Sequence, residues 1–475
     1  MTTPLFQRYE HLRNRYRVVK RTWQEYQTNR IEPDAGSDSL DTKSPRLDEL
    51  YPNIADYRVI STDRFYDKDI AQLEWSRLWN RVWLLAGLAS DVKEVGDWLN
   101  FQIGLHDIVV VRSSPDEVKA FYNVCRHRGN KLVHGDFGKG YKCFECSFHS
   151  WRFKLDGSLM RATDSDSFAP EALATVEGEG LNMKHVHAEL FAGLVFISFA
   201  AEPMPLKTYL SGVGPILESY EIDKMTVMRD VQLEIPANWK LMHNAFTEGY
   251  HIHSQHPQAM LRGEDVDVQS DFFENGHSRM IHPQGLVSSR RTDNQEMNQT
   301  LADMIADAGL NPDDFVGRNG AARLAIRAVK RQPDNIFNLD YSRMTDSQVT
   351  DIWAGQVFPN VSFTGQAEAF SFQRFLPHPT DPEKTIWNII QVGRKTKSPR
   401  RLEIDSAVFD GPRLERKRTS IDNTGLYEIL DQDVETIPNV QKGMRSPSLK
   451  FIRFNEQEAR LQQVYAEIDK YLYGN

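Results

Sequence analysis

A chain of 475 residues exceeds what one hydrophobic core usually supports, so at least two domains are expected. Its formal net charge of -9 argues against a nucleic-acid phosphate backbone as partner, and three cysteines cannot all pair within one chain, which argues against an oxidising, secreted setting. No charged-then-apolar leader opens the sequence, and the longest apolar stretch, Leu190 to Ala200, contains a glycine and is too short to span a bilayer, so a soluble, cytoplasmic protein is expected.

In chain order, Leu5 to Arg30 is helix-permissive and basic, with Arg13, Arg15, Arg17, Lys20 and Arg21 close together. Such a run most often forms a solvated helix face, and less often docks an acidic partner or a neighbouring subunit. From Ile31 to Pro52 the composition turns to Asp, Ser, Pro and Gly, which predicts a surface linker. Short strands with turns follow between Tyr57 and Ala200, among them Asp107 to Val111, Ala120 to Val124 and Leu194 to Phe199. The expected division is a helical segment and linker over 1–57, a small domain over 58–201 and a larger one over 202–475.

Two clusters in the small domain carry chemistry. Cys125-Arg126-His127-Arg128-Gly129 and Cys146-Ser147-Phe148-His149-Ser150-Trp151 each pair a thiol with an imidazole, two residues on in the first and three in the second. Each loop presents one sulfur and one nitrogen. The four ligands close the count of a Rieske centre, where two sulfurs hold one iron and two imidazoles the other. The β-prone run Phe121-Tyr122-Asn123-Val124 leads into Cys125, and Arg128-Gly129 adds positive charge and a flexible turn beside an anionic cluster. Two blander readings compete: a buried free cysteine is usually a small apolar filler, and Cys125, His127, Cys143 and Cys146 make a zinc-like set of four. The zinc set leaves His149 without a role, so Cys143 is read as structural.

The second dense region runs from Asn238 to Pro257 and holds His243, His251, His253, His256 and Glu248. Packing alone explains such density poorly. On a helix Glu248 and His251 share a face, whereas His256 rejoins them only if the helix ends first. Pro257 pushes the residue before it out of the helical region, which swings His256 back toward a metal held by His251. His253 faces away and is expected behind the ligands or at the surface. Two imidazoles and one carboxylate on one face of a metal form the triad of non-haem iron(II) oxygenases, which leaves positions open for dioxygen and substrate.

The motifs Cys-x-His-Arg-Gly with Cys-x-x-His-x-Trp, then Asn-Trp-Lys with Phe-x-Glu-x-Tyr-His-x-x-x-x-His, follow one another from Cys125 to His256. On them the chain resembles the catalytic α subunit of the Rieske non-haem iron aromatic-ring-hydroxylating oxygenase family, from Arg64 to Ser446 and most weakly between Asp267 and Asp351. The resemblance implies an α+β fold: a small all-β Rieske [2Fe-2S] domain, plus a catalytic domain whose antiparallel sheet is flanked by helices in the helix-grip manner. It implies one [2Fe-2S] cluster on Cys125, His127, Cys146 and His149, and one mononuclear Fe(II) on His251, His256 and a late aspartate. That aspartate precedes a Gln-x-Gly turn, here Gln441-Lys442-Gly443 after a helix over Leu426 to Val440, so Asp431 and Asp433 are the candidates. On a helical wheel Asp433 lies nearer the apolar stripe of Leu426, Tyr427, Leu430, Val434 and Ile437, and is chosen. Glu248 stands where the family places a carboxylate bridging a cluster histidine of one subunit to an iron histidine of the next, which implies a head-to-tail homotrimer.

Partners follow from the same resemblance: a separate NAD(P)H-dependent reductase, with or without a ferredoxin, plus dioxygen and a small organic substrate. The sequence agrees, since no Gly-x-Gly-x-x-Gly turn stands between a strand and a helix. Departures from the family pattern are informative. Phe148 replaces a tyrosine whose hydroxyl could donate toward the cluster, which lowers the expected reduction potential unless another donor takes its place. Ala245 replaces a common asparagine, and Glu248 replaces the aspartate usual in ring dioxygenases. Met280, Met297, Met304 and Met344 are read first as core filler and second as an adaptable pocket roof, above strands over Gln356 to Arg374 and Lys384 to Arg394.

The leading expectation is a terminal oxygenase that mono- or dihydroxylates, or dealkylates, an apolar substrate of aromatic or polycyclic kind. A monooxygenase acting on a quaternary amine is the alternative, and an electron-transfer Rieske protein without oxygenase activity is the reading from a different class. A zinc scaffold is separated from all three by colour: loss of the reddish chromophore in visible absorption with His149→Ala but not with Cys143→Ala would exclude zinc, whose filled d shell leaves a protein colourless.

Overall fold

The computed structural model describes residues 44–396 and 407–474, preceded by 5–8, 10–13, 15 and 40. The expected basic helix therefore lies largely outside the described residues, with Leu5–Arg8 and Glu10–Arg13 helical and Arg15 paired to Asp293 at 2.9 Å. Backbone contacts divide the chain into Trp75–Tyr209 and a second unit of Met1–Glu74 with Leu210–Asn475. These boundaries differ from the expected 58 and 202, because the stretch before Trp75 is tied to the carboxyl-terminal part. Val59–Ser61 pairs antiparallel with Phe451–Arg453, and Arg64 makes a two-pronged ion pair with Asp469 at 2.7 and 2.8 Å.

In the smaller unit, short and largely buried apolar runs build a seven-stranded antiparallel sheet in the order Trp83–Leu88, Leu194–Ser198, His185–Phe191, Glu117–Tyr122, His106–Ser114, Trp98–Ile103, Phe137–Gly138. A second, three-stranded sheet comprises Phe144–Glu145, Arg152–Phe153 and Leu159–Arg161. Trp98, Val109, Val111, Phe121, Phe144, Trp151 and Phe153 bury one continuous core, and Cys125 and Cys146 belong to it. The first cysteine follows the Glu117–Tyr122 strand, and the second opens the hairpin loop between Phe144–Glu145 and Arg152–Phe153.

The larger unit is built on an eight-stranded sheet in the order Gln269–Phe272, Ser278–His282, Ile352–Val357, Val361–Gly365, Ala369–Pro377, Thr385–Gly393, Thr226–Ile235, Lys417–Thr419, antiparallel except for the last pair. The Trp239–Ala245 helix packs on the Ala369–Pro377 strand and against the Glu428–Met444 helix. Asn238 caps it by accepting the Lys240 N–H at 2.9 Å, a bond worth about 1 kcal/mol. The rest of the Asn-Trp-Lys motif is buried polar structure: Lys240 Nζ and Trp239 Nε1 both bind the Glu74 carboxylate, at 2.5 and 2.9 Å.

One helix differs from expectation. The late helix runs from Glu428 to Met444, through Pro438, so Gln441-Lys442-Gly443 is helical and not a turn. The Gln441 side chain holds it there: Oε1 accepts the Asn238 N–H at 2.8 Å and Nε2 donates to Phe65 O and Glu383. The methionines serve packing, with Met344 buried and Met297 and Met304 part-buried in one cluster with Leu301, Ile305 and Phe337, and Met280 against Val268.

His243, on the Trp239–Ala245 helix, is fully buried, and burial followed by the Arg460 charge lowers its pKa from 6.5 to about 3. The unfolded imidazole binds a proton that the folded one refuses, so stability falls as pH drops from 6.5 toward about 3, by about 1.4 kcal/mol per unit for this group. His243→Gln should flatten that slope in chemical denaturation followed by tryptophan fluorescence; an unchanged slope would show that His243 is protonated in the fold.

Candidate metal centres

The two cysteine loops share one backbone design. Cys125 N–H donates to Asn130 O at 2.8 Å and Gly129 N–H to Cys125 O at 3.0 Å; Cys146 N–H donates to Trp151 O and Ser150 N–H to Cys146 O, both at 2.9 Å. Closing such a loop puts its fifth residue at positive φ, 77° at Gly129 and 54° at Ser150, and glycine meets the first without strain. Both thiols are buried and lie against each other. Burial raises the Cys125 pKa, while at Cys146 burial is outweighed by the Phe148 and His149 N–H groups and the Asn130 amide, which bring it below the usual thiol value.

The imidazoles of His127 and His149 also meet, with ring centroids 4.6 Å apart, and His127 stacks on Trp151 at 4.9 Å. His127 Nδ1 is buried and meets no hydrogen-bond partner among the described residues, a costly state for a ring nitrogen unless it binds something absent from the protein atoms. Thiols gathered as one pair and imidazoles as another fit a two-iron cluster with mixed ligands.

In the larger unit the first histidine helix ends at Ala245, and residues 248–251 form a turn instead of the expected helix face. The Thr247 hydroxyl bonds back to His243 O at 2.8 Å, and Glu248 Oε2 accepts the N–H of Tyr250 and of His251. Glu248 still reaches His251, with Oε1 at 2.5 Å from Nδ1. A single helical turn, Ile252–Gln255, follows, and His256 leaves it at φ −124°, as the proline behind it requires. Asp433 then comes in from the late helix. Its Oδ1 lies 3.0 Å from His256 Nε2 and 3.8 Å from His251 Nε2, and the three residues offer ligand atoms within 4.8 Å of one another. Asp431 points elsewhere, accepting from the Thr424 hydroxyl, and His253 contributes nothing to this group.

The His256 imidazole stands between two acceptors, Gln432 Oε1 at 2.6 Å on Nδ1 and Asp433 at 3.0 Å on Nε2, while His251 has Glu248 on Nδ1 and turns Nε2 toward Asp433 at 3.8 Å, beyond hydrogen-bond reach. A neutral ring carries one N–H and satisfies one neighbour only. Either an added proton or a cation between Nε2 and the carboxylate resolves the conflict. Burial pulls the His251 pKa down, but Glu248 and then Asp433 outweigh it and bring it up to about 9. A divalent cation fits in place of that proton, and Nδ1 donation to Glu248 and Gln432 fixes the tautomer that leaves both Nε2 lone pairs free.

Residues 222–474 match the family model described as ring hydroxylating alpha subunit (catalytic domain), and residues 82–176 match the Rieske [2Fe-2S] domain. The chain belongs to the ring-hydroxylating alpha-subunit family. Its relatives include the glycine betaine monooxygenase oxygenase subunit of Pseudomonas aeruginosa, 30% identical over 42% of this chain and 46% of that protein. The carnitine monooxygenase oxygenase subunit of Escherichia coli is 30% identical over 41% and 51%, and the large oxygenase component of the naphthalene 1,2-dioxygenase system of Pseudomonas aeruginosa 30% over 42% and 45%. The matched stretch thus spans about half the length of these curated relatives. The fold also matches a quaternary ammonium Rieske monooxygenase, with TM-score 0.63 and 17% identity over 90% of this chain and 99% of that one, and naphthalene 1,2-dioxygenase from Rhodococcus, with TM-score 0.61 and 17% identity over 90% and 98%.

Within this alpha subunit, sequence reasoning missed Gln432 and Gln255. Gln255 Nε2 donates to the Gln432 backbone O at 2.6 Å and to Thr436 Oγ1 at 2.8 Å, and Gln258 Nε2 donates at 2.8 Å to Gln432 Oε1, the side-chain carbonyl that orients His256. Glutamine carries no ligand signature, and only its place beside Asp433 could have drawn notice. Gln432→Leu should weaken Fe(II) or Zn(II) binding about 10- to 100-fold in a competition titration with a chromophoric chelator. Asp433→Ala should abolish that binding and Asp431→Ala leave it intact; strong binding by Asp433→Ala would remove this carboxylate from the centre.

Proposed function

We propose that the chain is the terminal oxygenase component of a multicomponent Rieske oxygenase. It takes electrons from a separate NAD(P)H-dependent reductase, with or without a ferredoxin, and uses O₂ to hydroxylate or dealkylate an apolar, aromatic or polycyclic substrate. The observation that carries this reading is the pair of imidazoles whose Nε2 atoms face Asp433, which calls for a divalent cation at a site with three protein ligands. In this reading Cys125, His127, Cys146 and His149 hold the cluster, and His251, His256 and Asp433 hold the iron. When bound, the cluster supplies one-electron storage and the iron supplies O₂ activation at its open positions.

The protein's own residues have three tasks. Asp433 neutralises charge at the Nε2 atoms, Gln432 and Glu248 orient the two rings, and Glu248 offers its carboxylate toward a neighbouring subunit's cluster histidine in a head-to-tail homotrimer. The same arrangement disfavours a Rieske protein that only transfers electrons, which would have no use for it. No helix among the described residues is long and apolar enough to cross a membrane, and the three cysteines are unpaired, which suits the reducing cytoplasm.

A second reading, oxidation of a quaternary ammonium compound, draws support from the glycine betaine and carnitine monooxygenase subunits among the relatives and from glutamate at 248. Oxygen uptake with a surrogate reductase and product mass separates the two: aromatic hydrocarbons should yield hydroxylated products coupled to O₂ consumption. Consumption coupled to betaines alone would establish the second reading, and none with either class would remove both. Loaded with excess iron, Glu248→Ala should keep both metals and the cluster spectrum while slowing single-turnover oxidation of the reduced cluster by orders of magnitude; a fully coupled variant would sink the bridging role.

A further inference from the structure

The position where relatives carry a phenol holds Phe148, whose ring lies on His149 at 3.9 Å between centroids, under the Arg128 guanidinium at 5.1 Å, and has no hydrogen to donate to sulfur. A different side chain reaches the sulfur. Asn130 Nδ2 lies 3.6 Å from Cys146 Sγ and 3.1 Å from Ser147 Oγ, while the carbonyl of the same residue accepts the Cys125 N–H at 2.8 Å. One residue therefore closes the first cysteine loop with its backbone and spans to the second with its amide.

We propose that Asn130 is the residue that sets the reduction potential of this alpha subunit's cluster, its amide N–H donating to Cys146 Sγ in place of the absent phenol. The proposal rests on the cluster ligands assigned above. Reduction adds one negative charge to the iron–sulfur unit, and a donor aimed at sulfur stabilises the more negative form, so the potential rises with the bond and falls without it. The N–H groups of His127, Arg128, Phe148 and His149 act on the thiols in the same sense, but the loop backbone fixes them and no substitution removes them. The Asn130 amide belongs to a side chain and is open to change. Asn130 is thus a positioning and tuning residue: it touches the ligand sulfur and not the substrate.

The test is an anaerobic redox titration of the full, cluster-loaded chain, read by visible circular dichroism and electron paramagnetic resonance. Asn130→Ala and the similar-sized Asn130→Leu should each shift the oxidised-to-reduced ratio at fixed potential about tenfold toward oxidised, or about 59 mV downward for one electron. Ser147→Ala, which spares the bond to sulfur, should leave the midpoint in place, and adding Phe148→Tyr to Asn130→Ala should recover part of the loss. An assembled Asn130 variant with a wild-type spectrum and an unmoved midpoint overturns the assignment alone. A wild-type chain with no Rieske resonance overturns the ligand set and Asn130 together. Should neither Asn130 variant assemble a cluster, the wild-type protein decides through pulsed resonance with ¹⁵N-asparagine: coupling to an exchangeable amide proton on the reduced cluster supports the bond, and its absence overturns it.

Discussion

The constraint on which the larger unit depends is the registry between the Glu428–Met444 helix and the segment from Asn238 to His256. Three contacts set it: Gln441 Oε1 takes the Asn238 N–H, Gln255 donates to Gln432 O and Thr436 Oγ1, and Gln432 Oε1 takes the His256 ring proton. Each uses a buried or part-buried polar group that would be costly to leave alone, so sliding the helix by one turn would orphan several at once. With the register fixed, Asp433 has no choice but to face His256, 177 positions away in sequence.

Once there, Asp433 turns packing into chemistry. A carboxylate that is 4% exposed, with two imidazoles beside it, is stable only if positive charge joins it. A proton on His251 is one source, and Glu248 makes it available by raising that ring's pKa. A divalent cation is the other, and it serves both rings together. Protons and a divalent cation therefore compete for the same Nε2 atoms.

The smaller unit solves a different problem with the same economy. Its core ends at two buried cysteines, and its two loops repeat one hydrogen-bond pattern around them. Backbone donors from both loops converge on sulfur, joined by the Asn130 side-chain amide at Cys146, while Ser147 and Phe148 stand exposed at the tip of the second loop.

The candidate ligands of both centres were legible because metals demand particular atoms at short spacings, and Cys125 with His127, Cys146 with His149, and His251 with His256 offer such atoms in three short segments. The strands around Val109, Phe121 and Val195 were legible as short β-prone runs set off by turns. Beyond these, the sequence left choices open. Asp431 and Asp433 sit on one helix two residues apart, and only the pairing of Asp431 with Thr424 and of Asp433 with His256 separates them. The helical Gln441-Lys442-Gly443 is held by a side-chain bond to Asn238 that no local propensity encodes, and the non-helical stretch before Ile252 by Glu248 Oε2 accepting the N–H of Tyr250 and of His251. Gln432 and Asn130 acquire their roles from partners on other loops and helices. Short-range ligand chemistry and periodicity are written along the chain, whereas the orientation of a ring or the aim of an amide is a property of what lies across from it in space.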